Sequence, residues 1–190
     1  MPDLLNFFFL HYGLTNADLE RSLSAALSAG GDYAELYFEH LTSSSAALEA
    51  SIVTSASNGV SLGCGVRVLD GEYSGYAVTD EISPKQILHA ARTAALIANG
   101  TAKTRIVEFH ERPTKSFYPV TRASVDLEMA DKVELLARAE KAALAYDSRV
   151  NKVRASYADE LRNILVVASD GTFANDCATS AEMGQFETAS

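Results

Sequence analysis

The chain has 190 residues, of which 47% are hydrophobic and 22% are charged, and its formal net charge is −9. This length and this share of apolar residues allow one or at most two globular domains with a sizeable core. The acidic surplus repels phosphate backbones, and the 16 Lys and Arg residues form no cluster among aromatic residues. Direct binding to nucleic acid is therefore not expected.

The cysteines and the first residues indicate where the protein resides. Cys64 and Cys177 are far apart and form no C-x-x-C pair, so neither a zinc ribbon nor a disulfide framework is expected. The apolar residues 4–10 are too few to span a bilayer, and they lack the basic flank and cleavage site of a signal peptide. We therefore expect a cytoplasmic protein without membrane contact, in which residues 1–14 dock on the body.

The first half of the chain predicts a helix and then strands. Thr15 or Asn16 can cap the helix, and leucines repeating every four residues form its buried stripe until Gly30. Alternating residues 33–41 predict a strand. A Ser-rich turn is then expected at residues 42–45, before a second strand around 47–53.

Residues 57–83 form the segment around which the chain is organised. They predict two strands, 60–69 and 72–80, joined by a tight turn at Asp70-Gly71, because Asp-Gly adopts the positive φ angles of a two-residue hairpin. Gly63 and Gly65 lie on one face of the first strand and leave room for close backbone approach or a bulge.

Ser83-Pro84 is a strong start for a helix that runs to about Ala98. A short strand at 104–109 and a Pro-containing loop then lead to the second half. There we expect a helix over about 126–146 and strands at 150–157 and 161–169, followed by a turn at Asp170-Gly171 and a third strand.

The two halves share this order of elements, which indicates a duplicated unit. The second half ends in a small, polar tail over residues 177–190, so one strand edge is expected to be open. Because open edges favour association, we expect either a fragment of a longer protein or an edge that pairs with a partner.

These elements predict an α+β fold in a single domain over residues 1–190. It has a mixed or antiparallel sheet of six or more strands, two or three long helices on one face, and a duplicated order of elements.

The four histidines do not form a recognisable metal motif; they are His11, His40, His89 and His110. His110-Glu111 begins the H-E-x-x-H pattern of a zinc peptidase, but Pro113 breaks the helix and no second histidine follows. His40 and His89 are expected to make structural hydrogen bonds. We predict no catalytic, cofactor-binding or metal-binding residue in this sequence.

Other candidates for chemistry are weaker still. No G-x-S-x-G motif is present, and neighbouring carboxylates arise by chance among 25 acidic residues. Tyr33, Tyr37, Tyr73 and Tyr76 fall on paired strands, where they either pack on the sheet or line a surface that accepts a peptide by strand addition.

Several segments resemble one family. DYAELYFEH followed by LEASIV, then GVSLGCGVRVLDGEYSGYAVTDEIS and later ILVVASDGT, resemble the N-terminal domain of TldD in the TldD/PmbA family of bacterial and archaeal metallopeptidases. Members of that family were once labelled modulators of DNA gyrase. The likeness runs from about Leu4 to about Asp176, and the form VR-x-x-x-GE-x-x-G-Y is closer to TldD than to its partner PmbA (TldE).

This resemblance implies a metallopeptidase whose zinc lies elsewhere. In the family, an H-E-x-x-x-H helix and a cysteine in the C-terminal domain carry catalysis, within a TldD–PmbA heterodimer that encloses a cavity for unfolded peptides. Neither motif occurs in this sequence, so no residue role is carried over and the isolated chain is expected to be inactive. The sequence also departs from the family after about Asp176.

The resemblance therefore implies a non-catalytic N-terminal domain that shapes the peptide cavity and contributes to subunit association. Its expected partners are a TldD/PmbA-type subunit, in a homo- or hetero-oligomer, and peptide substrates of the full-length protein. The alternative is a stand-alone binding or assembly module that pairs an open sheet edge with a peptide or another subunit.

Overall fold

The computed structural model describes residues 7–98, 108–111 and 120–189. Contacts between residues group the chain into two compact units. Unit 1 contains Met1–His40, Ser61–Pro119 and Asn163–Cys177, and unit 2 contains Leu41–Val60, Val120–Arg162 and Ala178–Ser190.

The described elements are four α-helices and a sheet. The helices are α1 (Phe7–Tyr12), α2 (Asn16–Ala26), α3 (Pro84–Ala98) and α4 (Met129–Tyr146). The strands are β1 (Tyr33–Glu49), β2 (Ile52–Asp70), β3 (Tyr73–Thr79), β4 (His110–Glu111), β5 (Val150–Ala168) and β6 (Thr172–Ala189). Their order in the sheet is β3-β2-β1-β5-β6-β4. The predicted α+β class is confirmed.

The predicted number of strands and the duplicated order are not matched. Five long antiparallel strands form the sheet, and the sixth segment, β4, has only two residues and runs parallel to β6. Three strands lie between α2 and α3, whereas only two follow α4 in the part of the chain that the structure describes. The second half therefore does not repeat the first.

The error in the strands has a physical cause. The sequence predicted polar breaks at residues 42–45 and near 158–160, but β1 and β5 each continue without interruption. Ser44 and Asp159, one at each of these points, are buried and hydrogen-bonded to each other, so the strands do not need to turn there. The tail predicted over 177–190 is likewise part of β6, which continues to Ala189.

Two hairpin turns determine the register of the sheet. Ala50 and Ser51 connect β1 to β2 with φ angles of 49° and 62°. The β2–β3 turn lies one residue later than predicted, at Gly71 and Glu72, because Asp70 is already paired with Tyr73. Gly71 has a φ of 58°, and a glycine at the first turn position is typical of a type II′ hairpin.

In unit 1, α2 and α3 cover one face of β1. The N-cap of α2 is Thr15, whose side chain accepts from Asp18 N–H while the Asp18 carboxylate accepts from Thr15 N–H, a reciprocal capping box. Ser83 Oγ likewise accepts from Gln86 N–H at the start of α3. Both predicted helix starts are therefore confirmed. The core that these helices form with the sheet includes Leu19, Leu23, Ala34, Leu36, Phe38, Val66, Val68, Ile87 and Ala91.

In unit 2, α4 packs on the sheet through Leu136. This residue is fully buried against side chains from β1 and β5, which are Ala46, Leu48, Ala155 and Tyr157. The helix begins at Met129 instead of near residue 126, because residues 124–126 form a 3₁₀ turn. Residues 104–107 of the predicted short strand lie outside the described residues.

Candidate functional site

The structure brings two of the four histidines together in unit 1. The ring centroids of His11 and His40 are 5.7 Å apart, and the Phe7 ring lies 5.2 Å from each. His40 is buried, and its Nδ1 has no hydrogen-bond partner among the described residues. Burial lowers the pKa of His40, and the positive charge that His11 can carry lowers it further. The site therefore favours a neutral His40 imidazole.

The other two histidines lie apart from this pair. His89 is exposed on α3, and the N–H of His110 donates to Gly171 O at 2.8 Å where β4 meets β6. Over residues 7–98, 108–111 and 120–189, no three His, Cys, Asp or Glu side chains are grouped so that they could hold a metal ion. These residues do not fit a zinc site, and the absence of catalytic residues stays a prediction.

Only three of the four tyrosines share a face of the sheet in unit 1. The hydroxyls of Tyr33 and Tyr37 donate to Glu35 and Glu39, each two residues further along β1. Tyr76 lies on the same side, since it pairs with Arg67, whose guanidinium is 3.9 Å from Glu35.

Side chains alternate between the two faces of a strand, so Tyr73 lies on the face opposite to Tyr76. Tyr73 shares its face with Gly75, which lies against α3. The hydroxyl of Tyr33 is held by Glu35, and burial together with this bond raises its pKa. A stripe of four tyrosines is therefore not formed, and the three that share a face are partly engaged within the sheet.

A buried charged cluster occupies the middle of unit 2. Lys132 Nζ lies 2.8 Å from Asp159 Oδ2 and donates to Ser44 Oγ at 2.5 Å, and Ser44 Oγ donates to Asp159 Oδ1 at 2.5 Å. The Tyr157 hydroxyl donates to Asp159 Oδ2 at 2.9 Å. The side chains of Lys132 and Asp159 are 2% and 0% exposed, so this is a fully desolvated ion pair.

The register of β1 and β5 builds this cluster. The hydrogen bonds Ser169 N–H to Ala34 O and Ala50 N–H to Val153 O define one antiparallel register. That register sets Ser44 directly opposite Asp159. Lys132, from the first turn of α4, then covers the pair.

A serine beside a lysine is also an arrangement found at nucleophilic sites, but the electrostatics here oppose that role. A serine nucleophile needs a free base beside it, whereas Lys132 Nζ is engaged with the Asp159 carboxylate at 2.8 Å. Burial raises the pKa of Asp159, but the bonds from Lys132, Ser44 and Tyr157 together outweigh it and hold the pKa below its usual range. We conclude that the cluster is structural. A cavity of about 360 Å³ borders Ser44.

A second buried carboxylate holds the strained turn in unit 2. Glu140 Oε1 accepts from Ser51 N–H at 2.7 Å, and its Oε2 accepts from Ser51 Oγ at 2.8 Å. Glu140 is buried on α4. Positive φ angles at Ala50 and Ser51 are costly for residues with a side chain, and this two-point contact offsets part of the cost.

The outer edge of β2 is open in unit 2. β3 pairs only with residues 64–70 of β2, and within the described part of the chain no strand pairs with the outer edge of residues 52–60. Every residue from 50 to 61 is exposed, including Ile52 at 67% and Val60 at 61%. This edge offers unpaired backbone groups and apolar side chains together.

The cysteines have no features of reactive thiols. Cys64 is buried in the core of unit 1, and burial raises the pKa of its thiol to about 12. Burial and then Asp176 raise the pKa of Cys177. Reactive thiols have lowered pKa values, so neither residue is a candidate nucleophile.

Sequence reasoning missed the charged cluster and the Glu140 contact. Lys132 and Glu140 lie on the apolar side of α4, and their spacing of eight residues, about two helical turns, is the one signal that could have pointed to them. Their partners come from distant strands, which a single sequence does not place.

None of the helices in the described part is long and apolar enough to cross a membrane.

Two protein-family models match the chain in succession. The model described as PmbA/TldA metallopeptidase domain 1 matches residues 34–98, and that described as PmbA/TldA metallopeptidase central domain matches residues 123–184. The second match includes eight residues beyond Asp176, which places them within the family's pattern.

Curated relatives support the same assignment. A metalloprotease TldD homologue from Haemophilus influenzae is 33% identical over 148 residues, which are 76% of this chain and 30% of the relative. A metalloprotease TldD homologue from Buchnera aphidicola (strain APS) is 29% identical over 153 residues, which are 80% of this chain and 31% of the relative. The chain thus spans about a third of the length of these relatives.

Solved structures share the fold. A candidate modulator of DNA gyrase from Bacteroides thetaiotaomicron superposes with a TM-score of 0.71 at 17% identity, over 93% of this chain and 42% of that one. TldE from Thermococcus kodakarensis gives a TM-score of 0.60 at 20% identity, over 87% and 38% of the two chains.

The matched models relate residues 34–98 to domain 1 and residues 123–184 to the central domain of a metallopeptidase family. The chain belongs to the TldD/PmbA family.

Proposed function

We propose that this chain serves in the cytoplasm as the non-catalytic N-terminal part of a TldD-type zinc metallopeptidase. In that role it shapes the cavity that receives unfolded peptides and contributes to subunit association. The observation that carries the proposal is the succession of two matches, to the family's first and central domains, over residues 34–98 and 123–184.

The geometry agrees with a scaffold. The buried charged side chains of unit 2 are paired within the unit, since Lys132 is bound to Asp159 and Glu140 is bound to Ser51. In unit 1, the tyrosine hydroxyls of β1 are bound to glutamates of the same strand. These groups hold strands and turns in place, and zinc would be bound elsewhere in a full-length protein.

A peptidase assay of the purified chain tests this proposal. The chain should not cleave an unfolded protein such as reduced casein, with or without added zinc. The Haemophilus influenzae metalloprotease TldD homologue is the positive control under the same conditions. Zinc-dependent cleavage by the chain alone, abolished by a chelator, would refute the proposal.

The open edge of β2 favours a second candidate function, an independent assembly or binding module. A free strand edge accepts an extended peptide or a strand of another subunit through backbone hydrogen bonds. Sizing separates the two functions. A monodisperse assembly formed by this chain alone supports the module, whereas aggregation cured by attaching the remainder of a longer chain supports the scaffold.

A further inference from the structure

We propose that α1 is a pH-dependent latch of unit 1, which lies on the sheet when His11 and His40 are neutral and is released when both imidazoles carry a proton. This is independent of the proposed function. The first observation is the contact itself. Phe7 and Tyr12 lie 5.2 and 6.2 Å from the His40 ring, and His11 lies 5.7 Å from it, between ring centroids. The contact between α1 and β1 therefore contains two imidazoles.

Within the described part of the chain, no opposite charge faces His40. From α1 it is faced by His11 and Tyr12, and neither is an anion at neutral or acidic pH, since burial raises the pKa of Tyr12. The registers of β1 with β5 and with β2 place the uncharged Asn163 and Leu62 opposite it. The one charged group among these residues that shifts the pKa of His40 is His11.

The docked helix keeps His40 away from water. His40 is 9% exposed, and its Nδ1 has no hydrogen-bond partner among the described residues. The hydroxyl of Tyr12 is also buried without a partner there. Two polar atoms thus lose their bonds to water when α1 docks, which the apolar contacts of the helix have to outweigh. A proton on His40 adds the desolvation of a cation to this cost, and release of α1 removes it.

The two imidazoles repel each other once both are charged. His11 is exposed, so it can take up a proton while α1 is docked. A proton on His40 then meets a second cation at a centroid distance of 5.7 Å as well as apolar surroundings. Each proton taken up on release changes the ratio of released to docked helix by up to about tenfold per pH unit.

The link between α1 and α2 allows α1 to leave by itself. Residues 13–15 separate the two helices. Gly13 has a φ of 65°, and a Cβ atom added there would meet no atom within 4 Å beyond its chain neighbours, so packing does not fix this glycine. Just after it, the buried Leu14 and the capping box at Thr15 anchor the chain. Gly13 is therefore placed as a hinge, about which α1 can release while the core stays folded.

Release of α1 uncovers aromatic surface. Phe8 is 3% exposed and packs on Phe38 of β1, with ring centroids 5.7 Å apart. Phe9 lies 6.1 Å from Phe173 of β6. Both contacts are lost when the helix leaves, so the latch converts the uptake of protons into exposure of an apolar face.

A tryptophan reporter tests the latch. The chain has no tryptophan, so Phe9→Trp introduces a single one on α1. We expect acrylamide quenching of its fluorescence to rise by about threefold or more between neutral pH and about pH 5, while circular dichroism keeps the signal of the folded sheet. In the same background, His40→Phe should abolish the rise. His89→Gln, at an exposed position of α3, should leave it unchanged.

His11→Phe tests the repulsion between the imidazoles. It keeps a ring stacked on Phe7 but removes the second cation, so release should require a pH lower by about 0.5 units or more. An unshifted midpoint, or a rise in quenching that persists in His40→Phe, overturns the proposal.

NMR titration of the chain without the reporter gives a second measurement, which holds even if Phe9→Trp disturbs docking. The imidazole signals of His40 and the backbone signals of residues 7–12 should change with one midpoint, while the signals of α3 stay in place. Signals of α1 that do not respond to pH overturn the proposal, and so does acid unfolding in which α1 and α3 are lost together.

Discussion

Lys132 decides the register of two long strands although it lies on a helix. Its cation is neutralised by Asp159 on β5 and bonded to Ser44 on β1. A slip of two residues would preserve the alternation of side chains but would leave a buried charge unpaired. The cluster therefore specifies one register among several that the apolar pattern allows.

Removing the lysine should be costly. We expect Lys132→Met to lower the free energy of unfolding by about 3–5 kcal/mol, because Asp159 is then buried without a cation. Urea unfolding followed by circular dichroism measures the change, with Lys141→Met at an exposed site of α4 as the control. The double variant Lys132→Met/Asp159→Leu should recover most of the loss, and simple additivity of the two changes would contradict this account.

The lowered pKa of His40 in unit 1 predicts that the free energy of unfolding depends on pH. Its pKa in the folded protein lies below that of an unfolded histidine, about 6.5, so the unfolded chain binds the extra proton more readily. The stability that His40 contributes is complete above the pKa of the unfolded histidine, about 6.5, and is lost as the pH falls through the lower pKa of the folded protein. The slope is at most about 1.4 kcal/mol per pH unit.

The substitution His40→Phe should remove this slope, because phenylalanine fits among Phe7 and Tyr12 and does not titrate. Unfolding free energies measured between mildly acidic and neutral pH give the comparison. His89→Gln, an exposed site on α3, is the control and should keep the slope. An unchanged slope in His40→Phe would show that another group is responsible.

At the scale of elements, α3 lies on β3 at a glycine. A Cβ atom added at Gly75 would be 2.0 Å from Ala94 O and 2.8 Å from Ala98 N. No rotation of a side chain relieves a clash with helix backbone, so the helix would have to move. The S-G-Y segment that marks the family resemblance thus has a steric reason for its glycine.

We expect Gly75→Ala to lower the free energy of unfolding by about 3 kcal/mol or more. Gly59→Ala is the control, since a Cβ there meets only Ser43 Oγ at 3.4 Å, and its effect should stay within about 0.5 kcal/mol. Thermal unfolding of the two variants makes the comparison. If Gly75→Ala were as stable as Gly59→Ala, α3 would not be packed directly against Gly75.

The turn between β1 and β2 can be improved. Ala50 has a φ of 49°, which asparagine tolerates better than alanine. Ala50→Asn should therefore raise the free energy of unfolding by about 0.5–1 kcal/mol in denaturant titrations. The same change at Ala56, on the extended β2, should give no gain, and a gain there would mean that φ is not the cause.

At the scale of the whole molecule, net charge should govern self-association. If two copies with a charge of −9 each associate, added salt should screen their repulsion and strengthen the dimer by about two- to fivefold. Sedimentation at low and high ionic strength measures this. A dimer that weakens with salt would show that ion pairs hold it together.

The sequence predicted features that depend on near neighbours. The helix cap predicted at Thr15 or Asn16, the Ser83 cap of α3 and the hairpin glycine at Gly71 are local, because each joins residues only a few positions apart. The family resemblance was also present in short segments such as SGYA. For these features the sequence alone was sufficient, except that it placed the β2–β3 turn at Asp70-Gly71 instead of Gly71-Glu72.

The tertiary structure decided where the long strands continue and which polar residues they bury. Polar residues near 44 and 159 looked like turns because a single sequence does not show that each supplies the partner of the other. The turn at Ala50-Ser51 was missed for the same reason, since Glu140 holds it from 89 positions away. Burial can stabilise a polar group only when its partner is in place, and only the folded chain puts it there.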